Sequence, residues 1–184
     1  MSKKIPETPF ETYLQEARYF DIDHFLRRHK DRGFLVSHGP VPTGADNIEQ
    51  TQAVISPFAK TYTGSIDEVL ISKHIDGSVV YEIPLDELRK PGMMGILPVG
   101  RQKSLPICIN NPCVSDFHGF FRLKREQLYY VDDDSTHGTI LNGQLAPSKQ
   151  KVAVESGCQI IIAKSIPFTY YGDKEFCDVC YKLK

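Results

Sequence analysis

Three short stretches carry the residue types that bind anions. Gly100-Arg101 closes an apolar run, and Ser115-Asp116-Phe117-His118 precedes another. Residues 132–143 read Asp-Asp-Asp-Ser-Thr-His-Gly-Thr-Ile-Leu-Asn-Gly. A guanidinium such as that of Arg101 can meet two oxygens of a phosphate with parallel, charge-assisted hydrogen bonds, although a lone arginine beside a glycine is usually a surface residue. Hydroxyls such as those of Ser115, Ser135, Thr136 and Thr139, with the amides of a turn opened by Gly138, can take the remaining acceptors. A hydroxyl-rich loop between two strands is equally well a self-satisfied turn, and it does not decide the matter alone.

A second chemistry is suggested by five cysteines. Cys177-Asp-Val-Cys180 has the two-residue spacer of a metal knuckle or dithiol, and Cys108, Cys113 and Cys158 could add ligands. Against it, the pair falls in what reads as a final strand, Phe176–Lys182, where residues three apart face opposite ways. Cys108 and Cys158, beside isoleucines, read as core fillers. Asp132, Asp133 and Asp134 could hold a divalent cation, but a solvated turn is the simpler reading. Ser115 and His118 have no third orienting group in view. H-E-x-x-H, P-loop, G-x-S-x-G and G-x-G-x-x-G patterns are all missing, so neither catalysis, metal nor cofactor is expected.

The elements that must position these loops read as follows. From residue 79 onward, short apolar runs alternate with turn residues every 8–12 positions, the signature of an all-β sandwich. Expected strands are Val79–Ile83, Gly95–Val99, Ile107–Ile109, Phe117–Leu123, Leu128–Val131, Thr139–Leu141, Lys151–Val154, Gln159–Ala163, Ile166–Tyr171 and Phe176–Lys182. Asn142-Gly143 is the dipeptide of the tightest hairpins. Upstream, Thr8-Pro9-Phe10-Glu11 reads as a capping box, followed by Phe10, Tyr13, Leu14 and Ala17 at helical spacing. Asp21 can open a second helix with Gly33 as its stop. Its last turn carries Arg27, Arg28, His29, Lys30 and Arg32, a solvated cationic end or a small dock for an acidic partner. Phe34–His38 suits a strand, residues 39–47 a loop, and residues 51–75 either a helix capped at Ser65 or a strand through Val69–Ile71. Residues 1–75 thus form an N-terminal extension that packs onto a sandwich of residues 76–184.

Composition narrows the setting. In 184 residues the formal net charge is −1, so no global field recruits nucleic acid and anion binding must be local. Hydrophobic residues make up 41%, yet no apolar run approaches the ~20 residues that span a bilayer, and no membrane association is expected. The first residues lack the apolar core of a secretory signal, and unpaired thiols suit a reducing, cytoplasmic compartment.

In order and spacing, G-R, S-D-F-H and S-T-H-G-T-I-L-N-G resemble the forkhead-associated (FHA) family over residues 76–184. The resemblance implies an all-β sandwich of two packed, mostly antiparallel sheets, with a small N-terminal helical extension, that binds phosphothreonine. By motif, Arg101 would be the primary phosphate ligand, and Ser115 and Thr136 would face the phosphate from the next two loops. Gly100, His118, Gly138, Thr139 and Asn142 would hold those loops in shape. Two positions depart from the family. His137 stands where the family has asparagine to hold the bound peptide's backbone, and an imidazole cannot offer an amide's paired donor and acceptor. Asp116 follows the phosphate-binding serine, where a polar or basic residue is usual, and Asp132–Asp134 would make a negative rim. Arg101, Lys103, Arg122 and Lys124 could offset it.

The resemblance implies a phosphothreonine-containing protein or peptide as partner, supplied by a Ser/Thr kinase in signalling. A phosphate-independent scaffold, self-association included, is the alternative. Thr8, Thr61 and Thr63, once phosphorylated, could occupy the pocket of this chain or of a neighbour.

Overall fold

The computed structural model describes residues 3–43, 77–90 and 94–184. Residues 51–75, with Thr61, Thr63 and the alternatives at Ser65 and Val69–Ile71, lie outside the described residues, as does the end of the 39–47 loop. Twelve strands are described: β1 Thr8–Pro9, β2 Arg32–Ser37, β3 Val79–Pro84, β4 Ile96–Gly100, β5 Ile107–Cys108, β6 Gly119–Lys124, β7 Gln127–Asp132, β8 Thr139–Leu141, β9 Gln144–Leu145, β10 Val152–Val154, β11 Gln159–Ile162 and β12 Ile166–Gly172. Four helices join them: α1 Phe10–Tyr19, α2 Ile22–Arg28, α3 Leu85–Leu88 and α4 Asp173–Leu183. One sheet has seven strands in the order β1-β3-β2-β12-β11-β8-β9; the other has five, β10-β7-β6-β4-β5. Among the described strands, every pairing is antiparallel except β4 with β5.

Between the sheets lie Leu35, Tyr81, Ile83, Leu97, Val99, Phe121, Tyr130, Ile160, Ile162 and Phe168, all but inaccessible. The seven-stranded sheet is covered on its other face too. Phe34 and Val36 of β2, Val80 of β3 and Tyr171 of β12 meet Phe10, Tyr13, Leu14, Phe25 and Phe176 from the helices. Phe34 and Phe176 stack at 3.9 Å. Burial on both faces explains why β2 and β12 read as near-continuous apolar runs rather than alternating ones. Each large side chain so buried contributes about 1.5–3 kcal/mol.

The chain's end is a helix, not the strand Phe176–Lys182. In α4, Phe176, Cys177, Val179 and Cys180 share the buried face, with Asp173 and Glu175 in the first turn and Lys182 in the last. The 3.6-residue period and the dipole-matched charges outweigh the strand preference of aromatic residues. Cys177 and Cys180 therefore face the same way, contrary to the strand geometry, and both are buried in the aromatic cluster. Burial pushes both thiols up, which disfavours the thiolate that a metal or a redox exchange needs.

The N-terminal signals are partly reassigned. Asp21 does cap α2, its Oδ1 accepting from His24 N–H at 2.7 Å. The Thr8 capping box does not form: Thr8 pairs with Val80 in β1, and Pro9 precedes α1 with no side-chain cap. Thr8 is thus part of a sheet edge. Gly33 is not a helix stop but a strand residue, paired with Ile83 and Gly172, and a Cβ there would meet the Tyr170 ring at 2.6 Å. Asp31, at φ 57°, makes the turn after α2. The cationic end of α2 is in part paired internally. His29 lies between Glu16 (3.2 Å) and Glu82 (3.3 Å), Arg28 lies 3.5 Å from Glu16, and Arg32 pairs with Asp86. Arg27 and Lys30 are exposed at the same end.

Candidate functional site

Three loops meet at one end of the five-stranded sheet. The register places Val99 opposite Gly119 and Gly119 opposite Asp132, so the segments after β4, before β6 and after β7 emerge side by side. Main-chain bonds continue the pairing beyond the strands: His118 N–H donates to Val99 O, and Asp133 N–H to His118 O. Arg101 N–H donates to Ser115 O at 2.9 Å, and Gln102 N–H to Asp116 O at 3.1 Å. Gly100 is required by this approach, because a Cβ there would overlap the Asp116 carbonyl.

The hydroxyl groups complete the join. Thr136 N–H donates to Ser115 Oγ at 3.0 Å, and the two hydroxyl oxygens stand 3.3 Å apart. Behind them His118 is fully buried. Its Nδ1 accepts from Ser115 N–H (3.3 Å), which leaves the ring proton on Nε2 to meet Thr139 Oγ1 at 3.1 Å. Burial holds His118 below the usual imidazole range, although the Asp132 carboxylate 3.7 Å away acts against this. A neutral ring with one donor and one acceptor fits both bonds, so His118 ties the second loop to the start of β8.

The third loop hangs on Asp132, a support that the sequence reading had placed in the negative rim. Asp132 is buried, its Oδ1 accepting from Ser135 N–H (3.0 Å) and its Oδ2 from Ser135 Oγ (2.8 Å) and Thr139 Oγ1 (2.8 Å). Ser135 Oγ in turn accepts from Gly138 N–H at 3.0 Å, and Gly138 takes φ 75°. The clue was local: an aspartate three residues before a serine is the spacing of a side-chain-closed turn. Asp134 is exposed, at φ 61°, and binds the Ser148 hydroxyl and Lys149 Nζ. Those partners hold its carboxyl below the usual range. Of the expected rim, one carboxylate is internal and one is paired. The offsetting cations shift as well: Arg122 lies opposite Ile96, four residues before Gly100, roughly 13 Å along the strand. Lys124 lies farther still.

Thr136 and His137 are exposed at the tip of the loop. Asn142 stands at the other end of β8, where its Oδ1 accepts from Gln159 N–H at 2.9 Å and anchors the Asn142-Gly143 turn to β11. A cleft of about 340 Å³ beside the loop is lined by residues that include His137, Gly138, Leu145, Pro147 and Lys164. Arg101 is half-exposed, and its Nη2 donates to Asp116 Oδ1 at 2.9 Å. Of the five residues expected at the phosphopeptide, Arg101, Ser115, Asp116 and Thr136 are thus linked across three loops, and His137 stands exposed beside Thr136.

Residues 98–163, which include all three loops, match the model of the FHA domain. It is over this segment, about a third of the chain, that the FHA domain is recognised. FHA domains are binding modules. No curated protein matches this chain. Among solved structures, the FHA domain of yeast Dun1, in complex with a doubly phosphorylated peptide from Rad53, is 20% identical with a TM-score of 0.47. That match covers 76% of this chain and 73% of that one. The FHA1 domain of yeast Rad53 is 20% identical, with a TM-score of 0.45 over 57% of this chain and 76% of that one. Mycobacterium tuberculosis EmbR, in complex with a low-affinity phosphopeptide, is 18% identical with a TM-score of 0.42. Half of this chain matches there, and it spans only 21% of EmbR. Among the described residues, no helix is long and apolar enough to cross a membrane.

Proposed function

We propose that this chain is a phosphothreonine-dependent protein-binding module that reads partners phosphorylated by a Ser/Thr kinase, with no catalytic step of its own. The observation that carries this reading is the convergence of Arg101, Ser115 and Thr136, held within one hydrogen-bonded cluster by main-chain and hydroxyl contacts. A phosphothreonine brings close to two negative charges and three acceptor oxygens. Arg101 has five N–H donors, of which the Asp116 contact occupies one, so the guanidinium retains donors for the phosphate. Ser115 Oγ accepts from Thr136 N–H and donates to Thr136 Oγ1 at 3.3 Å, and rotation of the hydroxyl would turn that proton to a phosphate oxygen. His118, Asp132 and Thr139 act as positioning residues that keep the loops apart by fixed distances before any ligand arrives, which lowers the ordering cost of binding. His137 would meet the peptide beyond the phosphothreonine and set a preference unlike that of an asparagine. A cytoplasmic setting, where kinases and reduced thiols coexist, suits the reading.

One observation favours a second reading, a scaffold that binds without phosphate: the Arg101–Asp116 ion pair already supplies the arginine with a carboxylate. Titration of a degenerate phosphothreonine peptide library, with phosphoserine and unphosphorylated controls, separates the two. The expected result is micromolar phosphothreonine binding that Arg101→Ala weakens by about 2 kcal/mol or more, the scale of a charge-assisted bond. No phosphate-dependent binding by the wild-type chain would favour the scaffold.

A further inference from the structure

Asp116 is placed beside Arg101 by the backbone and not by the ion pair alone. The carbonyl of Asp116 accepts from Gln102 N–H, that of Ser115 accepts from Arg101 N–H, and Gly100 leaves no room for the two segments to separate by a side chain. The Asp116 carboxylate therefore stays near the arginine when a ligand arrives, and its side chain is 72% exposed. The next residue, Phe117, is 38% exposed, an aromatic face left at the surface of the same loop.

The charge consequence is direct. Arg101 and Asp116 together are neutral, so a dianionic phosphate on Arg101 also meets the carboxylate held by the same guanidinium, at a separation on the order of 6 Å. Even at the dielectric of water this repulsion weakens binding about fivefold to tenfold at low ionic strength. A ligand relieves it by bringing its own cation to Asp116. Lysine or arginine does so, and an arginine gains further from lying over the exposed Phe117 ring. In an extended peptide, residues one to three positions from the phosphothreonine lie within about 10 Å of it, near enough for a long basic side chain to reach Asp116.

From this geometry we infer that the partner of this site is a phosphothreonine flanked by an arginine or lysine, whose side chain pairs with Asp116 and lies along Phe117. This inference rests on the phosphothreonine reading above. It assigns Asp116 a selective role: the residue penalises phosphate alone and admits phosphate accompanied by a base.

The test uses the full chain and phosphothreonine peptides in which one position at a time, from three before to three after the phosphothreonine, is Arg, Ala or Glu. Binding is read by fluorescence anisotropy for wild type, Asp116→Asn and Arg101→Ala. Wild type should prefer Arg over Ala by about three- to fivefold at one position, the scale of an exposed ion pair. In Asp116→Asn that preference should vanish while the Ala peptide binds about fivefold more tightly. The exposed position of Asp116 predicts an unchanged melting temperature, which checks that the variant is folded. Equal binding of Arg and Ala peptides by wild type, or an Arg preference that survives Asp116→Asn, overturns the inference and leaves phosphothreonine binding intact. A preference for Glu overturns it too and points to Lys103 or Lys164. If wild type binds no phosphothreonine peptide, both readings fall together.

Discussion

Replacing Asp132 with alanine would remove the acceptor from which the third loop hangs. Three donors lose their partner: Ser135 N–H at 3.0 Å, Ser135 Oγ at 2.8 Å and Thr139 Oγ1 at 2.8 Å. The two hydroxyls can rotate, and Thr139 already has the Tyr130 hydroxyl 3.3 Å away. The Ser135 amide cannot turn away. Leaving a buried donor unsatisfied costs about 1–3 kcal/mol, and hydrogen bonds to a charged acceptor contribute about 1.5–3 kcal/mol each. Against that, a buried carboxylate no longer has to be desolvated. The net expectation is a loss of about 3 kcal/mol, a large fraction of the 5–15 kcal/mol of an ordinary domain. Urea unfolding followed by circular dichroism would measure it as a lower midpoint at unchanged slope. Asp132→Asn should fall in between, since its carbonyl can still accept from Ser135 N–H. Asp134→Ala, which removes only exposed contacts, should stay within about 1 kcal/mol of wild type. A loss below about 1 kcal/mol for Asp132→Ala, or an equal loss for Asp134→Ala, would refute the assignment of one structural and one solvated aspartate.

Two further expectations concern titratable groups. Burial works to lower the pKa of His29, but its hydrogen bonds to Glu82 and Glu16 leave it raised above the usual value. The stability it supplies is therefore full below about pH 6.5, where the unfolded chain is also protonated, and is lost as pH rises through the folded value. His118, lowered chiefly by burial, acts the other way: its contribution is present above about pH 6.5 and lost as pH falls through the folded value. Unfolding midpoints across pH 5–9 should show both limbs, and His29→Gln should flatten only the alkaline one; an unaltered alkaline limb would contradict the placement of His29. Among the cysteines, Cys158 is pushed up to about 11 by burial, and Cys177 and Cys180 are likewise raised. A thiol reagent at neutral pH should label the half-buried Cys108 and Cys113 first and the other three only on unfolding. Fast labelling of Cys177 or Cys180 would overturn the buried-helix account.

Much of the site was legible because its parts are local. Asp21 caps α2 three residues on, Asn142-Gly143 turns β8 into β9, and Gly138 opens a loop whose bonds span three to seven residues. Such contacts depend on residue type and short spacing, which a sequence states outright. The order of Arg101, Ser115 and Thr136 was enough to expect an anion site from a motif. The α4 helix was misread: its aromatic residues suggested a strand, and a run that is apolar in either register is ambiguous until its neighbours are known.

The remaining features come from pairs far apart in the chain. The bond from β2 to β12 joins residues more than a hundred positions apart, and it makes Phe34 and Val36 the floor of a helical layer instead of a solvent face. His29 becomes an ion-pair centre only because α1 delivers Glu16 and β3 delivers Glu82 to its two nitrogens. The three consecutive aspartates look alike in sequence, yet alternation at the end of β7 turns Asp132 inward beneath Thr139 while Asp134 leaves the strand to meet Lys149. Which way a side chain points at the end of a strand, and which charge it meets there, depends on sheet register and on the loop packed beside it. Neither has a local signature, because chain entropy is overcome there by contacts whose partners the intervening residues do not specify.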